Sequence, residues 1–305
     1  MLSFLIRRSI SMVITLWAIF TITFFLMRAV PGGPLSSERK LEPHLKANLE
    51  ARYHLDEPLV QQYWRELTNF ARGDFGFSYK MGDFSVNQII AQSFPVSAIL
   101  GLLALTIALV LGITAGVLAA TWRRTGVDVA LMGLATLGIA LPNFVVAGTF
   151  IMVFVFWLFV LPAAGWGHLN ELILPAICLG LPYAAYIARL TRTGMLDVLN
   201  QDYIRTAYAK GLPAQTVVLR HALRGALVPI VSFLGPATAG ILTGSPVIEQ
   251  IFAIPGMGRH IVESAANRDW SLAMALVLVY TVILFVTNTI VDLSYGLLDP
   301  RVKLE

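Results

Sequence analysis

Apolar residues run along this chain in long blocks rather than in the short alternating patterns of soluble elements. A bilayer core about 30 Å thick needs about 20 apolar residues in helix to cross it. Six stretches meet that length: residues 10–30, 96–121, 129–161, 172–190, 227–252 and 272–293. The third is overlong, and Pro142-Asn143 predicts a kink or a new helix start within it. The fourth carries Pro175 and Pro182, and the fifth carries Pro229, Pro236 and Pro246. The first run follows Arg7-Arg8, outlasts a signal-peptide core and has no A-x-A site after it, so an uncleaved first helix is expected.

Composition strengthens the pattern. The 305 residues are 57% apolar and 13% charged, with mean hydropathy +0.73, whereas soluble domains carry about 25% charged residues. A soluble enzyme and a disordered chain are both excluded on that ground. The net charge of +4 would suit nucleic acid only if it formed one basic face. Instead the basic residues sit between apolar runs. With both termini inside, twelve lysines and arginines between Arg7 and Lys303 fall on the cytoplasmic side, against Arg259 and Arg268 in the two short outer loops. That bias predicts N-in, C-in. Cys178 is the one cysteine and lies in an apolar run, so no intrachain disulfide forms.

The reading is therefore an all-α integral membrane protein with six transmembrane helices. Its parts are residues 1–30 (N-terminus and first helix), 31–95 (an outer helical segment) and 96–305 (a five-helix core with a loop at 191–226). In the outer segment, Asp56-Glu57-Pro58 predicts a helix start. Leu59, Tyr63, Leu67 and Phe70 follow at helical spacing and Gly73 ends the pattern. A short helix is expected over 85–94, before Pro95. The segment either caps the outer mouth or grips an external partner. In the 191–226 loop, Asp202 is expected to cap a helix over 203–210, and Gly211 to end it in the left-handed conformation. Pro213 then suits the first turn of a second helix reaching about Arg224.

Several chemistries are missing. No G-x-x-x-x-G-K-[ST] loop occurs, so ATP is not expected to bind this chain. No metal-ligand spacing and no G-x-S-x-G elbow occur, and His44, His54, His168 and His260 are expected to be solvated. Ion-coupled transporters often place carboxylates at the membrane midplane. Here Glu249 falls near the outer end of the fifth span and Asp292 near the inner end of the sixth. Asn288 shares a helix face with Asp292, and helix packing is the expected role of both. Gly112-x-x-x-Gly116 and Gly240-x-x-x-Gly244 predict close helix approach. The fifth span is interrupted so often that it is expected to bend and line a pathway, through Pro236, Gly240, Gly244 and Pro246.

The run Asp202-Tyr203-Ile204-Arg205-Thr206-Ala207-Tyr208-Ala209-Lys210-Gly211-Leu212-Pro213, followed by Leu219-Arg220-His221-Ala222-Leu223, resembles the coupling loop of bacterial ABC importer permeases. The wider family reads E-A-A-x-x-x-G, nine residues, then I-x-L-P. Ala207, Gly211 and Leu223 hold the second alanine, the glycine and the leucine, while Arg205, Thr206, His221 and Arg224 depart. The first three departures are usual in the oligopeptide/dipeptide branch, and Tyr208 stands where that branch often has arginine. Ala29-Val30-Pro31-Gly32-Gly33-Pro34, Gly73-Asp74-Phe75-Gly76, Ser93-Phe94-Pro95-Val96-Ser97-Ala98, Ile254-Pro255-Gly256-Met257-Gly258, Asn267-Arg268-Asp269 and Asp299-Pro300-Arg301 extend the likeness over nearly the whole chain.

The chain is most similar to the first permease subunit of an oligopeptide system. Dipeptide, glutathione and nickel systems use closely similar subunits, and an ion-coupled transporter is the rival class. The resemblance implies a non-catalytic subunit of the inner membrane, with no cofactor of its own. Its implied partners are a homologous second permease, two cytoplasmic ATPases that bind ATP and Mg, and an extracytoplasmic peptide-binding protein. It also implies ATPase coupling through Arg205, Ala207, Lys210, Gly211, Leu212, His221 and Leu223. Contact with the binding protein is implied for Glu249, Pro255, Gly256 and Gly258.

Overall fold

A computed structural model describes residues 2–33, 44, 48, 50–51, 53–82 and 84–298. Pro34 and the motif at 299–301, with Lys303, lie outside them. Among the described residues the fold is all-α, with an isolated bridge between Phe77 and Ser85. Helix α1 (Leu2–Ala29) is followed by α2 (Leu59–Ala71), α3 (Val86–Thr121), α4 (Gly126–Ala140) and α5 (Asn143–Phe150), which continues as a π-helix over Ile151–Trp157. Then come α6 (Leu169–Leu199), α7 (Asp202–Ala209) and a three-part helix, α8 (Ala214–Thr216, π-helical Val217–Ala222, Leu223–Ala226). The last four are α9 (Val228–Leu242), α10 (Pro246–Ile251), α11 (Met257–Ala266) and α12 (Trp270–Leu298).

Five segments are long and apolar enough to cross a bilayer: Ser3–Ala29, Val86–Thr121, Leu169–Leu199, Val228–Ile251 and Trp270–Ser294. The sixth expected span is the α4–α5 pair, bent by 110°. Pro142 has no amide proton and forces Leu141 into extended backbone (φ −79, ψ 129), so the helix stops and restarts there.

Three local expectations are corrected. The short helix over 85–94 is not separate. A capping box starts it, with the Ser85 hydroxyl accepting from the Gln88 amide at 3.2 Å and the Gln88 side chain accepting from the Ser85 amide at 3.1 Å. The helix then runs on through Pro95 to Thr121; one lost backbone bond does not outweigh packing along both sides of the proline. In α2, Tyr63, Leu67 and Phe70 pack on Phe20 and Phe24 of α1, but Leu59 is exposed. His260 is half-buried rather than solvated, and its burial holds the imidazole below its ordinary pKa.

Helix α3 is the ruler of the fold, about 54 Å long at 1.5 Å per residue. One end, with Val86 and Ile89, joins Met257, Leu272 and Leu276 and takes Phe70 and Phe75 against it. The other end, with Val117 and Ala120, joins Met195, Ile204, Ala207 and Val217. We term these the cap end and the knob end. At the cap end Arg28 is the bolt: its guanidinium bonds Glu66 at 2.6 Å and Gln62 at 3.1 Å. It also sits 3.5 Å from the centre of the Phe24 ring and 5.1 Å from that of Trp270.

Between the two ends α3 packs on α6 with the backbones nearly in contact. A Cβ at Gly112 would lie 2.7 Å from the Ala184 carbonyl oxygen, one at Gly116 2.6 Å from that of Ala188, and one at Gly180 2.5 Å from that of Ala104. The expected close approach of Gly112 and Gly116 is thus intrachain. Overpacking such a seam costs about 1–3 kcal/mol or more. Gly116→Leu is expected to lower the thermal midpoint of the purified chain in detergent by several degrees, while Gly133→Ala, which meets open space, leaves it within error.

Candidate functional site

The knob is built from local rules. Helix α7 begins after Gln201, so Asp202 lies in the first turn, beside the positive end of the dipole, and does not cap through its side chain. The helix ends as expected. Gly211 takes φ +77, its amide donates to the Tyr208 carbonyl at 2.9 Å and the Leu212 amide donates to that of Ala207 at 3.4 Å. These two bonds make a Schellman motif, in which the left-handed residue is best a glycine. Pro213 precedes α8 with φ −64 and ψ 144.

Burial sorts the seven residues expected to couple. Ala207 is buried with Ile204 against Val117, Ala120, Met195, Val217, Ala222 and Ala226. It therefore seats the knob on α3 and α6. Leu212 and Leu223 pack partly against the same cluster, and His221 is half-buried. Arg205, Lys210 and Gly211 are exposed. Arg205 stands 3.7 Å from the Asp202 carboxylate at a fully solvated site, where such a pair contributes little. Beside the knob lies a cleft of about 740 Å³ between Trp122 and Arg123 of the α3 terminus and Tyr208, Gln215 and Leu219.

The knob end has one anchor that the sequence pattern hides. Arg192 of α6 makes a two-pronged pair with Asp128 of α4, at 2.6 and 2.8 Å. Asp128 also accepts from the Arg124 amide at 3.0 Å, where the backbone of Arg124 is left-handed (φ 62). These partners are 64 residues apart, and only an acid in the first turn of α4 hints at the arrangement.

At the cap end Glu249 is fully buried. The Ser97 hydroxyl donates to it at 2.7 Å and the Arg259 amide at 3.2 Å, while the Met257 amide donates to the Ser97 oxygen at 2.7 Å. Gly244, Gly256 and Gly258 close around the carboxylate; a Cβ at Gly256 would lie 2.6 Å from its oxygens and one at Gly258 2.9 Å. Of the four residues expected to meet an external protein, Pro255 is exposed, whereas Glu249, Gly256 and Gly258 are internal. Their role is to hold the α10–α11 turn onto α3. Asp269 does the same for the 73–85 loop: it accepts from the Ser78 hydroxyl and from the Tyr79 and Leu272 amides at 3.2 and 3.3 Å.

The residues expected to line a pathway lie along α9 and its break. Pro236 is exposed, and Gly240, Gly244 and Pro246 are half-buried. Gly244, at φ +83, separates α9 from α10. Asp292 forms an ion pair with Arg8 of α1. Among the described residues no cluster of three potential metal ligands occurs.

Residues 112–304 match the family described as binding-protein-dependent transport system inner membrane component, and residues 1–101 match the N-terminal family of such membrane components. The chain is 47% identical over 305 residues to the oligopeptide transport system permease protein OppB of Escherichia coli K12, covering 99% of this chain and 100% of that one. It is 47% identical over 304 residues to the dipeptide transport system permease protein DppB of Bacillus subtilis 168, covering 100% and 99%. Among solved structures, an inward-facing MetNI methionine ABC transporter aligns with TM-score 0.55 at 16% identity, over 68% of this chain and 96% of that one. An amino acid ABC transporter with histidines aligns with TM-score 0.52 at 15% identity, over 68% and 92%. At those identities the structural likeness speaks for the fold.

The Glu249 cradle predicts an asymmetry between substitutions. Glu249→Leu strands a buried hydroxyl and an amide, at about 1–3 kcal/mol per group, whereas Glu249→Gln retains an acceptor. Thermal unfolding in detergent is expected to show the glutamine variant losing less than half of what the leucine variant loses.

Proposed function

The chain belongs to the family of binding-protein-dependent transport system inner membrane components, and on that premise we propose how it couples peptide movement to ATP. It is a multi-pass, non-catalytic permease subunit of a peptide importer of the ABC type. In our reading it forms the pathway with a second, homologous permease. Two cytoplasmic ATPases drive it from the knob end, and an extracytoplasmic peptide-binding protein delivers cargo at the cap end. That places the knob in the cytoplasm and both termini with it.

The observation that supports coupling at 191–226 is the split character of α7. Its Ile204–Ala207 side is sealed onto α3 and α6, while Arg205, Lys210 and Gly211 face outward. A groove on an ATPase would receive that outer side, with Arg205 and Lys210 able to form charge-assisted bonds. Because the inner side is packed at core density, displacement of α7 carries the ends of α3 and α6 with it. Helix α9 is the compliant element: Pro236 removes a backbone bond within it, and the break at Gly244 lets α10 stay tied to α3 through Glu249 and Ser97 while α9 swings.

An ion-coupled mechanism has less support. It would need a free intramembrane carboxylate, and here Asp292 is paired with Arg8 while Glu249 is held by a hydroxyl and an amide. Oligopeptides and dipeptides remain the two cargo lengths represented among the relatives.

A left-handed backbone costs most side-chain-bearing residues about 1–2 kcal/mol, less for asparagine and aspartate. An aspartate, however, also sets a negative charge at the negative end of the α7 dipole and between Arg205 and Lys210 and their acceptors. In liposomes holding the complete transporter, Gly211→Asp is therefore expected to cut ATP-driven peptide uptake at least tenfold without loss of membrane insertion. Gly211→Asn should keep most of it. Normal uptake by the aspartate variant would remove the coupling role from this turn.

A further inference from the structure

The middle of the molecule holds polar groups that neither the fold nor the coupling uses. Between Leu172 and Ala188 of α6, Val228 and Ile248 of α9–α10, and Trp270 and Val291 of α12 there is no Asp, Glu, Lys or Arg. Within these charge-free stretches lie Tyr183, Tyr186, Tyr280 and Asn288. The Tyr186 ring stacks on Phe233 of α9, centres 4.5 Å apart and planes 30° apart, and Tyr183 is 6.4 Å from the same ring. The Tyr183 hydroxyl is 3.1 Å from where a Cβ at Gly240 would stand. The Asn288 amide oxygen fills the place of a side chain at Gly235. Tyr186 and Tyr280 are exposed and Tyr183 and Asn288 half-buried.

None of the three phenol oxygens and neither end of the Asn288 amide has a hydrogen-bond partner among the described residues, and none is sealed in protein. An unpaired phenol or amide facing lipid costs several kcal/mol, so lipid is the wrong neighbour for this face. Every one of these groups both donates and accepts, Tyr183 and Tyr186 stand beside the Phe233 ring, and these stretches carry no fixed charge. That combination suits a ligand that repeats donors and acceptors along its length while its substituents vary. A peptide main chain is such a ligand.

Resting on the permease reading above, we propose that Tyr183, Tyr186, Tyr280 and Asn288, with Phe233, form a neutral lining that hydrogen-bonds the main chain of a peptide in transit and ignores side-chain charge. The hydroxyls satisfy peptide N–H and C=O groups in turn. The ring faces accept any side chain, and the lack of an ion leaves nothing to trap a charged one.

The test uses the complete transporter in liposomes and three tripeptides of one length, neutral, cationic and anionic. Replacing all three tyrosines by Phe is expected to raise KM about fivefold or more for all three peptides alike, at about 1 kcal/mol per hydrogen bond. Tyr186→Lys is expected to slow the cationic peptide relative to the anionic one. A merely structural role would not sort by charge, so equal effects on both overturn the proposal. Tyr186→Cys gives a second reading, because the native Cys178 is buried. Labelling by a charged thiol reagent, blocked by peptide, supports the lining; labelling by a lipid-soluble reagent alone, or by neither, overturns it. Peptide carried normally by wild type and by the triple Phe variant overturns this proposal only. A wild-type complex that hydrolyses ATP but carries no peptide overturns the permease reading together with it.

Discussion

The contact on which the molecule depends is the meeting of α3 and α6, where three glycines let peptide carbonyls of each helix touch the backbone of the other. Lipid offers no hydrophobic drive for two apolar helices to associate, so van der Waals fit between small residues has to do it. Gly112, Gly116 and Gly180 supply that fit over much of the helix length. Both helices therefore behave as one beam. The knob is fastened to one end of the beam through Val117, Ala120 and Met195, and the Glu249 turn is fastened to the other through Ser97.

Charge is scarce in this chain, and several ions near the beam fix one segment to another. Arg28 ties α1 to α2, Asp128 ties α4 to α6, Asp292 ties α12 to α1, and Glu249 ties the α10–α11 turn to α3. A buried ion whose partner is removed is costly to keep, so these contacts define register between helices more strongly than leucine-on-leucine packing does. Arg205 and Lys210, by contrast, stand outward on the knob.

How much of this was legible beforehand follows from how local each feature is. Six apolar blocks, the break at Pro142 and the left-handed Gly211 depend on a few neighbouring residues, and the chain displays them openly. The features hidden from local pattern are those settled by distant parts. Glu249 reads as an acid near the outer end of its span until the glycines at 256 and 258 fold back over it, and the packing role of Ala207 shows only where α3 and α6 cover it. Arg192 counts toward the basic inner side until Asp128, 64 residues earlier, is found beside it. Pro95 marks a helix end by local rules, yet packing on both sides of it carries α3 through. The tyrosines at 183, 186 and 280 look like ordinary aromatic filling in sequence, because a missing hydrogen-bond partner has no sequence signature.

Stiffness and compliance are thus divided between helices. The α3–α6 seam cannot slide without driving a carbonyl into a glycine Cα, so a displacement applied at α7 would be carried along both helices together. Helix α9 meets α3 this closely at one point, where a Cβ at Gly101 would lie 2.9 Å from the Ile241 carbonyl oxygen, rather than along a run of glycines. It has Pro236 in its middle, Gly244 at its end and the Tyr183–Phe233–Gly240 contacts along its side, and aromatic contacts of that kind can re-form at a shifted register. A rigid beam beside a compliant helix converts a push at one end into a change in separation between the two. On the proposed reading, the surface exposed or closed by that change is the one that carries the unpaired hydroxyls, so that coupling and cargo contact would be two faces of one displacement, with the glycines setting which side moves.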